Sequence, residues 1–152
     1  MRLAGQGTPV LIVEFCQGGS QQGVSHPRVL GQNLTWMRCD SRRRLDHLPL
    51  DAPLTETETE SIKALWAVVR QALCDGSYGL CLLDDLDRVI ARNLITAAEC
   101  MACLSARSEQ VEVLLAGASF PQTLLEQADQ VTHCRDFRKS AGESKLGAVP
   151  PA

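Results

Sequence analysis

The sequence predicts an α/β protein whose mostly parallel sheet is flanked by helices. Three observations point there. Short apolar runs rich in β-branched or aliphatic residues recur at 9–15, 79–83 and 111–117. Stretches with helical apolar spacing lie between and after them. Two Thr-x-x-Glu spacings, Thr57/Glu60 and Thr96/Glu99, stand where helices would begin. Strands alternating with helices imply parallel pairing through right-handed crossovers.

Taken in order, Leu3-Ala4-Gly5-Gln6-Gly7-Thr8-Pro9 has the Gly stop and following Pro of a helix end, yet no helix body precedes it. Such an orphan end suggests a chain lacking its true beginning. Pro9 to Phe15 reads as a strand buried on both faces. Cys16 to Gln32, rich in Gly and Gln, reads as a loop, Leu34 to Cys39 as a short strand, and Asp40 to Pro53 as a polar loop. Ile62, Leu65, Trp66, Val69 and Leu73 form one helical stripe over about 58–74, stopped by Gly76. Gly79 to Leu83 is a second buried strand, ending in Asp84-Asp85. Ala97, Cys100, Met101 and Leu104 give a second helix, and Val111 to Gly117 a third strand. Pro121 suits the first turn of a short helix with Leu124, Leu125 and Ala128 inward, and Gln130 to Cys134 is expected as a last strand. One domain over 1–137 and a disordered tail over 138–152 follow from this pattern.

Composition narrows the function classes. The 152 residues carry a net charge of −3, with 45% hydrophobic and 22% charged residues. No broad basic surface invites nucleic acid, and no apolar run reaches the ~20 residues of a membrane span. No secretion signal is visible, so the default address is cytoplasmic. Seven cysteines, an odd number, read as free thiols rather than a disulfide framework.

The acidic pair offers the clearest chemistry. Carboxylates after a buried strand can hold Mg²⁺ or its water ligands, and the metal can neutralise nucleotide phosphates. Ligands of open α/β sheets bind at that carboxyl edge. The competing reading is a solvated turn.

The wider order of segments resembles a known family. Val10 to Phe15 with Gly18 is similar to a strand ending in Gln-Phe with a nearby Lys-Gly. Gly79 to Leu86 resembles a strand ending in Leu-Asp-Glu-Leu. Leu94-Ile95 and the helix reaching Leu104-Ser105-Ala106-Arg107 resemble the next helix and its closing Arg. Val111 to Gly117 resembles a strand ending in Thr-Gly. Pro121, Leu124-Leu125, Ala128-Asp129 and Val131-Thr132 resemble the following helix and an Ala-Asp-x-Val-Thr stretch. These belong to the ATP:corrinoid adenosyltransferases of the CobA/CobO/BtuR type, and this chain looks most like their divergent cyanobacterial copies. The resemblance spans most of 9–138.

It implies a RecA-like P-loop NTPase fold, usually a homodimer. It also implies transfer of the 5′-deoxyadenosyl group of ATP to the cobalt(I) of a corrinoid, aided by Mg²⁺ or Mn²⁺. The metal would lie at Asp84 and Asp85, and ligand contacts at Gln17, Gly18, Trp36 and Gly117. No residue is assigned a bond-making role, because cobalt(I) is itself the nucleophile.

The departures are as informative. The family opens with a strand, a Gly-rich loop ending Gly-Lys-Thr, and a helix. The only lysines here are Lys63, Lys139 and Lys145, none in a glycine framework, so the strand–P-loop–helix unit is missing. Glu14 replaces Gln, Gln17 stands near the expected Lys, Asp85 replaces Glu, and Ala118 replaces an Arg. A start set too late and a degenerate paralogue both account for this. Either leads us to expect a truncated or impaired transferase. The alternatives are a non-catalytic corrinoid- or nucleotide-binding module and a cysteine-based metal or redox protein. Without the loop's strand, neighbouring strands would have unpaired edges and the chain alone would be poorly stable.

Other features favour plain readings. Cys100-Met101-Ala102-Cys103 lies past the first helical turn and reads as buried hydrophobes more readily than as metal or redox chemistry, even with His133-Cys134 available. Cys16 to Gly23 reads as a surface loop rather than an anion nest, Trp36 as a partly buried core residue rather than a stacking platform, and Arg42 to Arg44 as a solvated loop rather than a triphosphate contact.

Overall fold

The structure, a computed structural model, describes residues 2–18 and 22–134. The tail expected from Arg138 onward lies outside the described residues, as do Lys139, Lys145 and part of the Gly-rich stretch after Cys16. The elements run α1 (Arg2–Gly5), β1 (Val10–Glu14), β2 (Arg28–Leu30), β3 (Leu34–Arg38), α2 (Glu56–Asp75), β4 (Leu80–Asp84), α3 (Leu86–Ala91), α4 (Ala97–Ser105), β5 (Glu112–Ala116) and α5 (Gln122–Gln127).

The sheet order is β2-β3-β1-β4-β5. β3, β1, β4 and β5 are mutually parallel, and only β2 runs antiparallel, against β3. The mostly parallel α/β architecture therefore stands. β2 falls inside the stretch expected as loop. It is three residues long and joined to β3 by a turn through Gly31, whose φ of +64 suits a residue without Cβ.

The longest helix begins two residues earlier than expected. Its capping box is Thr55/Glu58 rather than Thr57/Glu60: the Glu58 amide donates to Thr55 Oγ1 at 3.2 Å, and the Thr55 amide to Glu58 Oε2 at 2.9 Å. The repeat Thr-Glu-Thr-Glu-Thr-Glu offers both registers. Glu58 wins because it also takes Arg43 and Ser41, at 2.9 and 2.7 Å, while remaining buried. Thr96 caps α4 as expected, but Glu99 turns to the Trp66 indole N–H at 2.9 Å instead of closing a box.

Two further expectations are corrected. Residues 130–134 form no strand: Val131, the only aliphatic residue among them, is 43% exposed, so the segment has no face to bury. Ala128 caps α5 and is exposed, while Leu124 is the residue of that helix that enters the core.

Alternation along the strands divides the sheet into two unlike faces. Leu11, Val13, Phe15, Met37, Cys81 and Leu83 point to one side and form a single core with residues of α2, α3, α4 and α5. In-register residues of the other side, Trp36, Ile12, Leu82 and Leu114, do not join that core, and Leu114 is 52% exposed. The expected burial of β1 on both faces holds toward the helices and, on the other face, at Val10, which is 3% exposed; Ile12 and Glu14 beyond it are half-buried.

Candidate functional site

The carboxyl ends of β1, β4 and β5 meet at one edge. Register places Glu14, Asp84 and Ala116 side by side, and backbone bonds continue the ladder past the strands: Phe15 N–H to Asp84 O at 3.1 Å, Asp85 N–H to Ala116 O at 2.9 Å. The loop after β3 folds onto the same edge, since the amides of Leu45 and Asp46 donate to the Cys16 carbonyl at 2.8 and 3.2 Å. Asp46 thereby joins Asp84 and Asp85.

Asp85 begins α3 in the left-handed region, φ 60, and its side chain caps nothing. One of its carboxylate oxygens, Oδ2, is buried without a hydrogen-bond partner among the described residues. Burial, then the charges of Asp84, Asp46 and Asp87, push the Asp85 carboxyl up to about 6, with Arg88 opposing. Asp84 is raised as well, first by burial, with the Asp85 backbone N–H pulling the other way and Asp87 and Asp46 adding to the rise. Carboxylates crowded enough to raise one another, even with Arg44 and Arg88 beside them, suit a cation. Among the described residues no three His, Cys, Asp or Glu side chains are grouped as a metal cage. Mg²⁺ needs no such cage, since it binds through one or two carboxylates, waters and substrate phosphates, so the pair fits that ion.

The remaining expected residues are placed as follows. Gln17 is at the edge and donates to Asp46 Oδ2 at 3.3 Å. Gly18 is there too, pressed so close to the loop that a Cβ would stand 2.0 Å from the Arg43 carbonyl oxygen. Gly117 follows β5 directly. Trp36 stands apart: it is mid-strand on the sheet face without the core, its ring covered by the Arg38 guanidinium at 4.7 Å, and Arg38 itself is ion-paired with Glu14. Of the arginine run, Arg43 binds Glu58 and the Pro53 carbonyl, and Arg44 binds Asp46. Cys100 is fully buried, and burial pushes its thiol up to about 12, which disfavours the thiolate that metal or redox chemistry needs.

Sequence reasoning missed Asp46, Asp87 and Arg88. Asp46 gave no signal, because only the fold of the 39–46 loop brings it to the edge. Asp87 and Arg88 lie on α3, a helix overlooked although Leu86, Val89 and Ile90 have helical spacing directly after the acidic pair. From α3, Arg88 and Arg92 donate to carbonyls of the 48–52 loop and hold it down, Arg88 to Leu48 and Arg92 to Pro49, at 2.8 Å for the latter.

Comparison with known proteins adds to this geometry. The family model described as ATP:corrinoid adenosyltransferase BtuR/CobO/CobP matches residues 1–148. The corrinoid adenosyltransferase of Escherichia coli (strain K12) is 25% identical over 145 residues, covering 90% of this chain and 67% of that protein. That of Pseudomonas aeruginosa is 26% identical over 142 residues, covering 86% and 63%. Corrinoid adenosyltransferase CobA of Salmonella typhimurium is 23% identical over 145 residues, covering 90% and 67%. The chain thus spans about two thirds of the length of these relatives.

Proposed function

The chain belongs to the ATP:corrinoid adenosyltransferase family, and from that premise we propose that its sheet edge is the cation-holding side of a site for ATP and a corrinoid. The observation that supports this most is the Asp84–Asp85 pair, with its raised carboxyls and unpartnered Oδ2. Asp84 and Asp85 would hold Mg²⁺ or Mn²⁺, which when bound neutralises the charge of the triphosphate as it leaves. The surrounding residues of this chain orient rather than react. Arg88 balances the acidic cluster, Gln17 fixes Asp46, and the β1–β4–β5 ladder sets the spacing of the carboxylates. A RecA-like core, a homodimer, a cytoplasmic location and contacts from Gln17, Gly18, Trp36 and Gly117 belong to the same proposal.

The lysine census supports impaired turnover. Lys63 sits within α2, and neither of the other two lysines follows a Gly-rich loop. A second reading, favoured by the same fact, is a corrinoid- or nucleotide-binding module that does not turn over.

Anaerobic incubation of the 152-residue chain with ATP, Mg²⁺ and chemically reduced cobalamin separates these. We expect adenosylation slower than that of the E. coli relative by at least on the order of 100-fold, since the loss of even one strong electrostatic donor costs that much. Asp84→Asn should remove what remains. Corrinoid binding with no conversion selects the module. Conversion as fast as the relative's would show that these residues grip triphosphate by some other means.

A further inference from the structure

Asp87 enters the reading above only through its charge on Asp84 and Asp85, yet it is the most enclosed carboxylate at the edge, 4% exposed in the first turn of α3. Its Oδ2 accepts two consecutive backbone N–H groups, from Ala118 at 2.9 Å and Ser119 at 2.8 Å, in the turn between β5 and α5. Its Oδ1 is buried with no hydrogen bond among the described residues and faces Gly117, where a Cβ would stand 2.3 Å from it. Successive amides converging on one anion form a nest. Here the anion comes from the chain itself, and hydrogen bonds to an ionised acceptor are about twice as strong as neutral ones. Together with the bond from Asp85 N–H to Ala116 O, this ties the turn bearing Asp84 and Asp85 to the turn bearing Gly117 by two separate links.

We propose that Asp87 is a positioning residue that fills the amide nest of the β5–α5 turn and holds that turn in register with Asp84 and Asp85. This deepens the ligand-site reading and rests on it only for the importance of the edge. Two consequences follow. The Ala118 and Ser119 amides are occupied, so a ligand phosphate at this edge must find other donors. Position 117 is glycine because the Asp87 carboxylate needs the space a Cβ would take.

The test requires no ligand, so a failure to bind ATP would count against the site reading and leave this one standing on its own result. Backbone amide exchange is followed by NMR in the 152-residue chain and in Asp87→Ala and Asp87→Asn. Exchange at Ala118 and Ser119 should quicken about tenfold in Asp87→Ala while amides of central β1 keep their rates. Asp87→Asn, whose carbonyl oxygen can accept the same two amides, should restore most of the protection. Gly117→Ala should lower the Tm of the wild-type chain and cost much less in the Asp87→Ala background. Unchanged exchange at both amides in Asp87→Ala, or additive effects of the two alanine substitutions, would overturn the proposal. If Asp87→Ala does not fold, Asp87→Leu, of similar shape but without an acceptor, decides: faster exchange at both amides supports the tie and unchanged exchange refutes it.

Discussion

Asp85 combines a left-handed backbone, a buried unpaired oxygen and a carboxyl pushed up to about 6 from an ordinary value of 3.8. A folded-state pKa above the unfolded one means that this group favours folding below pH 3.8, and that the contribution is withdrawn as pH rises through 6. Asp85→Asn should therefore raise Tm at pH 7.5 by about 2–4 °C, and the gain should vanish by pH 4. Asn tolerates the same backbone, so strain does not confuse the outcome. A gain of equal size at both pH values would contradict the electrostatic account. Glu58 is the opposite case. Its hydrogen bonds to the Arg43 guanidinium lower its carboxyl to about 2, against burial, with help from the Thr55 amide and Ser41. That contribution is present above pH 4.5 and fades as pH falls toward 2. Glu58→Gln, which can still close the capping box, should cost about 1 kcal/mol at pH 7 in urea unfolding, with the two midpoints converging near pH 2. At this scale the sequence was legible where chemistry is local, as in the acidic pair. It was silent on Asp46, which lies 38 positions from Asp84 and is brought to the edge by bonds to the Cys16 carbonyl and from Gln17.

At the scale of elements, strands with a continuous apolar run and the one long amphipathic helix were readable within a residue or two. The failures have physical causes. β2 is too short for its pattern to rise above a polar loop, and its pairing depends on the Gly31 turn. α3 is six residues long, and its Leu86, Val89 and Ile90 follow the acidic pair without the cap that would announce a helix. The capping register of α2 could not be chosen within a Thr-Glu repeat, because the tie-breaker, Arg43, comes from a distant loop. The expected strand at 130–134 has Val131 as its one aliphatic residue, and an apolar residue that stays 43% exposed does not make a strand.

At the scale of the molecule, the core-forming helices among the described residues pack on one face of a largely parallel sheet, and the opposite face carries Ile12, Trp36, Leu82 and Leu114 in one register row. Parallel sheets are ordinarily covered on both faces. The chain by itself should therefore unfold at modest temperature and associate through this row. Leu114→Lys, at a position already 52% exposed, should extend the concentration range over which light scattering reports a monomer, with a Tm change under about 2 °C. A large loss of Tm would mean that the row is covered in solution. The family follows from the match over residues 1–148; the chemistry turns on whether the acidic edge holds a cation beside ATP. Mn²⁺ line broadening in the presence of ATP tests that most directly. Amide signals of Phe15, Asp85 and Gly117 should vanish at low Mn²⁺ in the wild-type chain and survive in Asp84→Asn/Asp85→Asn. Broadening that centres elsewhere, or is the same in both proteins, would contradict the account.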